Sequence, residues 1–166
     1  MSDDSRLVIQ PLDTRHDRTG FSCGVGALDT YLSRQARQDV KRRISRVFVA
    51  ASATQPNTIL GYYTLSSLAI ELDTLPLHLA RKLPRHPVPA ALLGRLAVSQ
   101  AAQGQGIGSM LLADAVKRAL SVSTHIAIYA LVVDAIDEGA QRFYEQFGFS
   151  LLSGERRRLF LPLRSV

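Results

Sequence analysis

A glycine-rich turn between an apolar run and an amphipathic segment is the feature that most restricts how this chain can fold. The turn reads QGQGIG at residues 103–108 and follows the apolar residues 90–98. Glycine adopts positive φ without steric cost and lets a ligand approach the backbone closely. The first N–H groups of a following helix have no internal acceptor, and the helix dipole favours negative charge there. The turn is therefore either a tight strand-to-helix connection or a cradle for a pyrophosphate.

Two other glycine fingerprints do not fit this turn. A P-loop requires Lys followed by Ser or Thr after its last glycine, whereas Ser109 and Met110 follow here. A dinucleotide-binding G-x-G-x-x-G turn belongs beside the first strand of its domain, and this turn lies about two-thirds of the way along the chain. Both of these phosphate-binding folds are excluded.

Apolar and β-branched runs alternate with helical segments along the chain. The pattern predicts strands at residues 7–12, 47–51, 59–68, 90–98, 125–133, 149–152 and 158–163, and helices at 26–40, 106–120 and 139–147. Four prolines make residues 76–89 a mostly irregular connection. The order β-α-β-β-β-α-β-α-β-β predicts one α/β (α+β) domain over residues 1–166, with a single mixed sheet and helices on both faces.

Composition narrows the class of protein. The 166 residues are enough for one hydrophobic core, and no apolar run approaches the roughly eighteen residues of a membrane span. Residues 1–6 are polar and acidic, unlike a secretory signal. Cys23 is the only cysteine and the four histidines lack metal-ligand spacing, so we expect structural or surface roles for them. A cytoplasmic protein without metal or membrane contact is expected.

The glycine turn also matches a known signature. Gln103-x-x-Gly106-x-Gly108 fits Q/R-x-x-G-x-G/A, and the chain thereby resembles the GNAT acetyltransferases. Four further segments resemble a narrower group, the GNAT toxins of bacterial toxin–antitoxin pairs. These segments are FSCG at residues 21–24 with LDxYL at 28–32, GYYTL at 61–65, PVP at 87–89 leading into LGRLAV at 93–98, and FYEQFGF at 143–149. The resemblance extends from about Phe21 to Leu163.

The resemblance implies a GNAT fold with a mostly antiparallel sheet and acetyl-CoA as co-substrate. The pantetheine arm would pair with the backbone of Leu96, Ala97 and Val98 as an added strand does, and a backbone N–H there would polarise the thioester carbonyl. The pyrophosphate would lie on the turn and the helix start, which comprise Gln103, Gly104, Gln105, Gly106, Ile107, Gly108 and Ser109. The acetyl group would pass directly to an amine, without a covalent enzyme intermediate.

Tyr144 is the residue that the resemblance implies as general acid. A phenol with a reference pKa of about 10 can protonate a departing thiolate whose thiol has a pKa of about 8.5. By spacing alone, Tyr144 would instead simply pack against Phe143, Phe147 and Phe149. No general base is evident, since Asp134 and Glu138 read as ordinary loop carboxylates.

The acceptor implied by the toxin resemblance is the α-amine of an aminoacyl-tRNA. A free α-amine has a pKa of about 7.7–8.0 and an ester lowers it further, so little base catalysis is needed. Twenty Lys and Arg against fourteen Asp and Glu give a net charge of +6, which favours polyanionic partners such as CoA or nucleic acid. The residues expected to hold tRNA are Arg34, Arg37, Lys41, Arg42, Arg43, Arg46, Arg81, Lys82 and Arg85. Taken alone, each of these groups is typical of a solvated face.

The resemblance further implies a homodimer and a partner antitoxin, a ribbon-helix-helix protein encoded beside this one. Two other functions remain open at this point. One is acetylation of a small amine, a peptide or a protein N-terminus, which would explain the fold without the basic groups. The other is an acetyl-CoA-binding co-repressor that assists a DNA-binding antitoxin.

Overall fold

The computed structural model describes residues 6–84, 87–154 and 157–163. Within this part of the chain the strands are β1 (Leu7–Pro11), β2 (Arg46–Ser52), β3 (Gly61–Ile70), β4 (Val88–Val98), β5 (Ala130–Asp134), β6 (Ser150–Leu151) and β7 (Arg158–Pro162). They form one sheet in the order β1-β2-β3-β4-β5-β7-β6. The β4–β5 pair is parallel, whereas β1–β2, β2–β3, β5–β7 and β6–β7 are antiparallel. The predicted mixed and mostly antiparallel sheet is confirmed.

The longer helical segments lie where the apolar periodicity predicts them, and one further helical turn forms within the proline-rich connection predicted to be mostly irregular. They are α1 (Gly26–Thr30), α2 (Ala36–Lys41), the short α3 (Leu77–Ala80), α4 (Ile107–Val122) and α5 (Glu138–Gln146). The apolar face expected for α4, formed by Ile107, Leu111, Ala115 and Ala119, is buried along its whole length. Every helix within the described residues is too short or too polar to cross a bilayer.

A π-helical turn, Tyr31–Gln35, joins α1 and α2 without a break. The N–H of Ala36 donates to the carbonyl of Tyr31, five residues back, so the turn holds one more residue than an α-helical turn. Tyr31 and Leu32 are both buried within it. The sequence predicts one uninterrupted helix here because apolar spacing reports only the average period.

The strand predicted at residues 125–133 is half as long as expected. The N–H groups of His125 and Ile126 donate to the carbonyl of Val122, at 2.9 and 3.0 Å, which curls the chain around the end of α4. Ile126 is 64% exposed. Only at Tyr129 does the backbone reach β4, where its N–H donates to the Pro89 carbonyl at 2.8 Å. Apolar, β-branched composition does not distinguish a buried strand from an exposed turn, and the prediction of its start was wrong.

The chain forms two compact units. Unit 1 comprises the chain up to Leu65 together with Arg95–Ala115, and unit 2 comprises Ser66–Gly94 and the chain from Val116 onward. Strands β3 and β4 and helix α4 each continue from one unit into the other. The unit 1 core includes Phe21, Tyr31, Leu32, Val47, Val49, Tyr62 and Ala97. The unit 2 core includes Ile70, Val88, Ala130, Val132, Leu152 and Phe160.

Candidate active site

The glycine turn presents bare backbone to solvent. Gly104 and Gly106 have φ values of +82° and +79°, which L side chains rarely adopt. A Cβ added to either glycine would meet no heavy atom within 4 Å, and residues 103–106 are exposed. The positive φ, rather than crowding from the protein, is the local reason for glycine at these two positions. The empty space above the turn is available to a ligand.

The start of α4 supplies hydrogen-bond donors at this turn. The N–H of Met110 forms the first backbone hydrogen bond of the helix and donates to the Gly106 carbonyl at 3.1 Å. The N–H groups of residues 104–109 donate to no residue that the structure describes. Ile107 is buried and anchors the helix end in the core. Unpaired donors at the positive end of a helix dipole form an anion cradle, and the turn therefore fits the pyrophosphate of CoA.

The Gln103 side chain fixes the turn from within the protein. Its amide nitrogen Nε2 donates to the carbonyl of Cys23 at 3.1 Å and to the carbonyl of Val98 at 3.0 Å. These contacts connect the end of β4 to the first residue of the turn. Both hydrogens of this amide nitrogen are therefore used within the protein.

The last residues of β4 present one edge of their backbone for a ligand. The N–H of Ser99 donates to the Leu60 carbonyl at 2.8 Å, and a Cβ on Gly61 would lie 2.9 Å from the Ala97 carbonyl oxygen. The backbone groups of Ala97 and Ser99 therefore point toward β3, and those of Leu96 and Val98 point toward the opposite edge, where the Val98 carbonyl accepts from Gln103. The register with β5 runs only from Ala90↔Ala130 to Leu93↔Val133. The edge beyond Leu93 suits the extended, amide-bearing pantetheine arm.

Tyr144 lies in unit 2 on the buried side of α5. The helix is capped at its start by Asp137, whose Oδ1 accepts from the Ala140 N–H at 2.8 Å, and Gly148 follows its end with φ +93°. Tyr144 is 4% exposed, with edge-to-face contacts to Phe143 and Phe149 at centroid distances of 5.3 and 5.7 Å. These packing contacts explain why an aromatic ring is buried at this position, but they do not explain why the ring carries a hydroxyl.

The Tyr144 hydroxyl has the properties of a proton donor. It donates to no residue that the structure describes. Among those residues no fully buried side-chain oxygen or nitrogen lacks a partner, so this hydroxyl reaches solvent. Burial of the ring, and secondarily the charge of Asp134, raise the pKa of Tyr144 above its ordinary value. The phenol therefore keeps its proton throughout the physiological pH range.

Asp134 is not the free loop carboxylate that the sequence predicts. It is the last residue of β5, and both of its oxygens accept from the Arg158 guanidinium, at 2.7 Å from Nε and 2.9 Å from Nη2. Both carboxylate oxygens are therefore already engaged by a charge-assisted, bidentate contact. Glu138 is exposed at the first turn of α5, 4.0 Å from Arg142.

The first basic group forms an exposed surface of unit 1. We call it the basic surface, and it comprises Arg34, Arg37, Lys41, Arg42, Arg43 and Arg46, all exposed. Arg34, Arg37 and Lys41 line a groove of about 720 Å³ together with Arg18. The sequence did not single out Arg18, because a lone cation in a loop carries no periodic signal. Arg81 and Lys82 are exposed after α3 in unit 2, and Arg85 lies outside the described residues.

Cys23 and His16 have the structural roles predicted for them. Cys23 is buried as a free thiol, and burial and the Asp29 contact raise its pKa. His16 is 4% exposed, its Nδ1 accepts from the Asp13 N–H at 3.0 Å, and burial lowers its pKa. His78 and His125 are exposed, while His86 lies outside the described residues. Across the described ranges, no three His, Cys, Asp or Glu residues group as metal ligands would.

The family follows from comparison with known proteins. The model of the Acetyltransferase (GNAT) family matches residues 22–149, which include both the β4 edge and the glycine turn. The chain belongs to the GNAT acetyltransferase family. It is an acetyl-CoA-dependent acyltransferase.

This GNAT acetyltransferase has close relatives among toxins. It is 34% identical over 150 residues to the "tRNA-acetylating toxin" of Mycobacterium tuberculosis, covering 90% of this chain and 88% of the relative. The solved structure of AtaT complexed with acetyl-methionyl-tRNAfMet matches with a TM-score of 0.88 and 34% identity, covering 95% of each chain. A tyrosine-to-phenylalanine mutant of AtaT, bound to the C-terminus of the antitoxin AtaR and acetyl-CoA, matches with a TM-score of 0.80 and 31% identity, covering 95% of this chain and 93% of that one.

The glycine turn of the acetyltransferase yields a first prediction. Gly106→Val places a branched side chain where the phosphates approach and should weaken acetyl-CoA binding about 10- to 100-fold, as expected when charge-assisted hydrogen bonds are lost. Gly154→Val is the matched control, because Gly154 has φ +77° and equally empty surroundings in the turn between β6 and β7. Both variants should lose similar stability from backbone strain. Calorimetric titration that gives equal acetyl-CoA affinities for the two variants would remove the turn from the binding site.

Proposed function

We propose that this acetyltransferase modifies the α-amine of aminoacyl-tRNA and thereby blocks translation, as the toxin of a toxin–antitoxin pair. The observation that carries the proposal is the similarity to a tRNA-acetylating toxin over 90% of the chain. The structure adds an exposed basic surface on the same compact unit as the β4 edge and the glycine turn. A small-amine acetyltransferase has no need of such a surface.

In the proposed reaction the amine nitrogen attacks the thioester carbonyl. The C–N bond forms as the C–S bond breaks, and a backbone N–H of β4 stabilises the negative charge that develops on the carbonyl oxygen. Tyr144 gives its proton to the departing thiolate, the attacking amine releases its own proton to solvent, and the tyrosinate takes a proton back from solvent. Burial raises the pKa of Tyr144, so the phenol is protonated before the thiolate forms, but the raised pKa also makes it a weaker acid toward that thiolate.

The absence of a dedicated base is consistent with this acceptor. Asp134 is held by Arg158, and Glu138 is a solvated residue at the start of α5. The α-amine of an aminoacyl ester is largely neutral near pH 7, because its pKa lies below the 7.7–8.0 of a free α-amine. A lysine side chain, with a pKa of about 10.4, would need a base to remove its proton.

The basic surface would hold the acceptor stem through its phosphates. Lys and Arg contacts to phosphate give affinity without reading the sequence. Specificity for a particular tRNA or amino acid would then come from other contacts. Arg81, Lys82 and Arg85 remain proposed contacts of the same kind on unit 2.

The assembly and the location belong to the same proposal. We infer that residues 1–166 act as one catalytic domain, in the cytoplasm, as a homodimer with a ribbon-helix-helix antitoxin. The AtaT structure that contains the C-terminus of AtaR supports an antitoxin partner. Co-expression with the neighbouring gene should yield a complex, and light scattering of the isolated chain should give twice the mass of 18.2 kDa.

The decisive experiment offers labelled acetyl-CoA with charged tRNA, uncharged tRNA and free amino acids in parallel. Label should enter only the charged tRNA and should be lost when mild base hydrolyses the aminoacyl ester, because the acetyl group sits on the amino acid. Sequencing the labelled RNA would identify the tRNA. Equal labelling of free amino acids would favour the small-amine enzyme, and no transfer to any acceptor would favour the co-repressor.

A further inference from the structure

Arg95 in β4 lies flat on a buried tyrosine. Its Cζ is 3.5 Å from the centroid of the Tyr31 ring, within the π-helical turn. Tyr31 is itself fixed, because its hydroxyl donates to Asp39 Oδ2 at 2.8 Å and its ring stacks on Tyr62 at 6.4 Å. The guanidinium is therefore held in one plane by a rigid aromatic platform.

The edge of this guanidinium is available to a ligand. No described residue accepts a hydrogen bond from Arg95 or forms an ion pair with it. Its nitrogens reach solvent, since none of the fully buried nitrogens in the described side chains lacks a partner. The guanidinium is half-buried and forms no ion pair with a described residue, so its N–H groups remain available to an anion. The planar fork of five donors matches phosphate bidentately.

Arg95 directly precedes Leu96, Ala97 and Val98, the part of β4 that is expected to pair with the pantetheine arm. If the pyrophosphate binds at the turn after β4, the pantetheine arm would run back along the strand from Val98 toward Leu96. Arg95 is the next residue, about 3.3 Å further along the strand. Its side chain shares a face with Ala97, which packs in the same core cluster as Tyr31. An anion bound to Arg95 would therefore lie on the α1–α2 side of β4, level with the thioester end.

We propose that Arg95 binds the phosphodiester that precedes the aminoacylated terminal nucleoside of tRNA and thereby positions the α-amine. This inference rests on the proposed function. In an aminoacyl ester the amino acid carboxylate is consumed by the ester bond, so the nearest anion to the amine is that phosphodiester. This role differs from that of the basic surface. Arg95 would bind one phosphate next to the amine, whereas the basic surface would bind several phosphates of the acceptor stem.

Two short substrates test the role of Arg95. One is the aminoacyl ester of adenosine, which has no phosphate, and the other is the same ester of the dinucleotide CpA, which has one phosphodiester. The amino acid is the one that is labelled in the tRNA experiment. Arg95→Gln should lower kcat/KM for the dinucleotide ester about 10- to 100-fold. For the adenosine ester kcat/KM should change less than about twofold, and acetyl-CoA affinity should stay constant.

Matched variants separate this role from a structural one. Lys117→Gln removes an exposed charge of α4 that lies outside the basic surface, and it should leave both short substrates unaffected. Arg95→Lys keeps the charge without the fork and should fall between wild type and Arg95→Gln on the dinucleotide ester. If Arg95→Gln does not fold, the same comparison of the two esters is made with Arg95→Lys. Equal losses on both esters in whichever variant is measured would overturn the inference.

The wild type alone provides a second check. It should use the dinucleotide ester with a kcat/KM about 10- to 100-fold above that of the adenosine ester, and equal values for the two would also overturn the inference. Failure of the proposed function looks different, since the wild type would then acetylate neither ester nor charged tRNA.

Discussion

Tyr144→Phe should lower turnover by roughly 10²–10⁴-fold, the usual contribution of a positioned proton donor. The ring and its contacts with Phe143 and Phe149 remain, and no described residue loses a hydrogen bond when the hydroxyl is removed. Acetyl-CoA affinity and the thermal unfolding midpoint should therefore stay near those of the wild type. Steady-state kinetics with charged tRNA, calorimetric titration and thermal unfolding measure the three quantities.

Tyr62→Phe is the matched control and should behave in the opposite way. The Tyr62 hydroxyl is buried in the unit 1 core and donates to the Leu28 carbonyl at 2.6 Å. Its removal takes away one of the hydrogen bonds of that carbonyl, which still accepts from the Tyr31 N–H, and the loss costs about 0.5–1.5 kcal/mol of unfolding free energy. Turnover of the folded Tyr62→Phe protein should be close to normal. If turnover of Tyr144→Phe is also near normal, Tyr144 has only a packing role. The thiolate is then protonated by water.

Raising the salt concentration from 50 to 200 mM should weaken tRNA binding by about 10²–10³-fold. Each neutralised phosphate contributes about −0.7 to −0.9 to the slope of log affinity against log salt. If the six cations of the basic surface each contact one phosphate, the slope is about −4 to −5. Fluorescence anisotropy with labelled tRNA across a salt series gives the slope directly.

Charge reversal identifies the residues responsible for that slope. Arg42→Glu with Arg43→Glu should make the slope less negative by about 1.4–1.8 and should spare acetyl-CoA binding. Lys117→Glu is the control, because Lys117 is an exposed cation of α4 outside the basic surface. A salt-independent affinity, or equal effects of the two changes, would contradict phosphate contacts at this surface and favour the small-amine acceptor.

Much of the fold could be predicted from the sequence because its signals are local. Alternating and 3.6-residue periodicities located the strands and the main helices, and the glycines at 104, 106 and 148 marked positions that do adopt positive φ. The glycine turn was recognisable for the same reason, since φ preference and helix-end chemistry depend on consecutive residues. The errors lie where composition was ambiguous, as in the apolar but exposed residues before β5.

The sequence by itself determined the order of elements, the turn that opens α4, the basic character of the chain and the segment that contains Tyr144. Only the tertiary structure decided which distant groups meet: Gln103 with the Cys23 carbonyl, Asp134 with Arg158, and Arg95 with the Tyr31 ring. Each of these contacts joins residues from separate elements, so it depends on strand pairing and helix packing rather than on local preference. The π-helical turn aims Tyr31 into the core, and no apolar period reports a single extra residue in a helical turn.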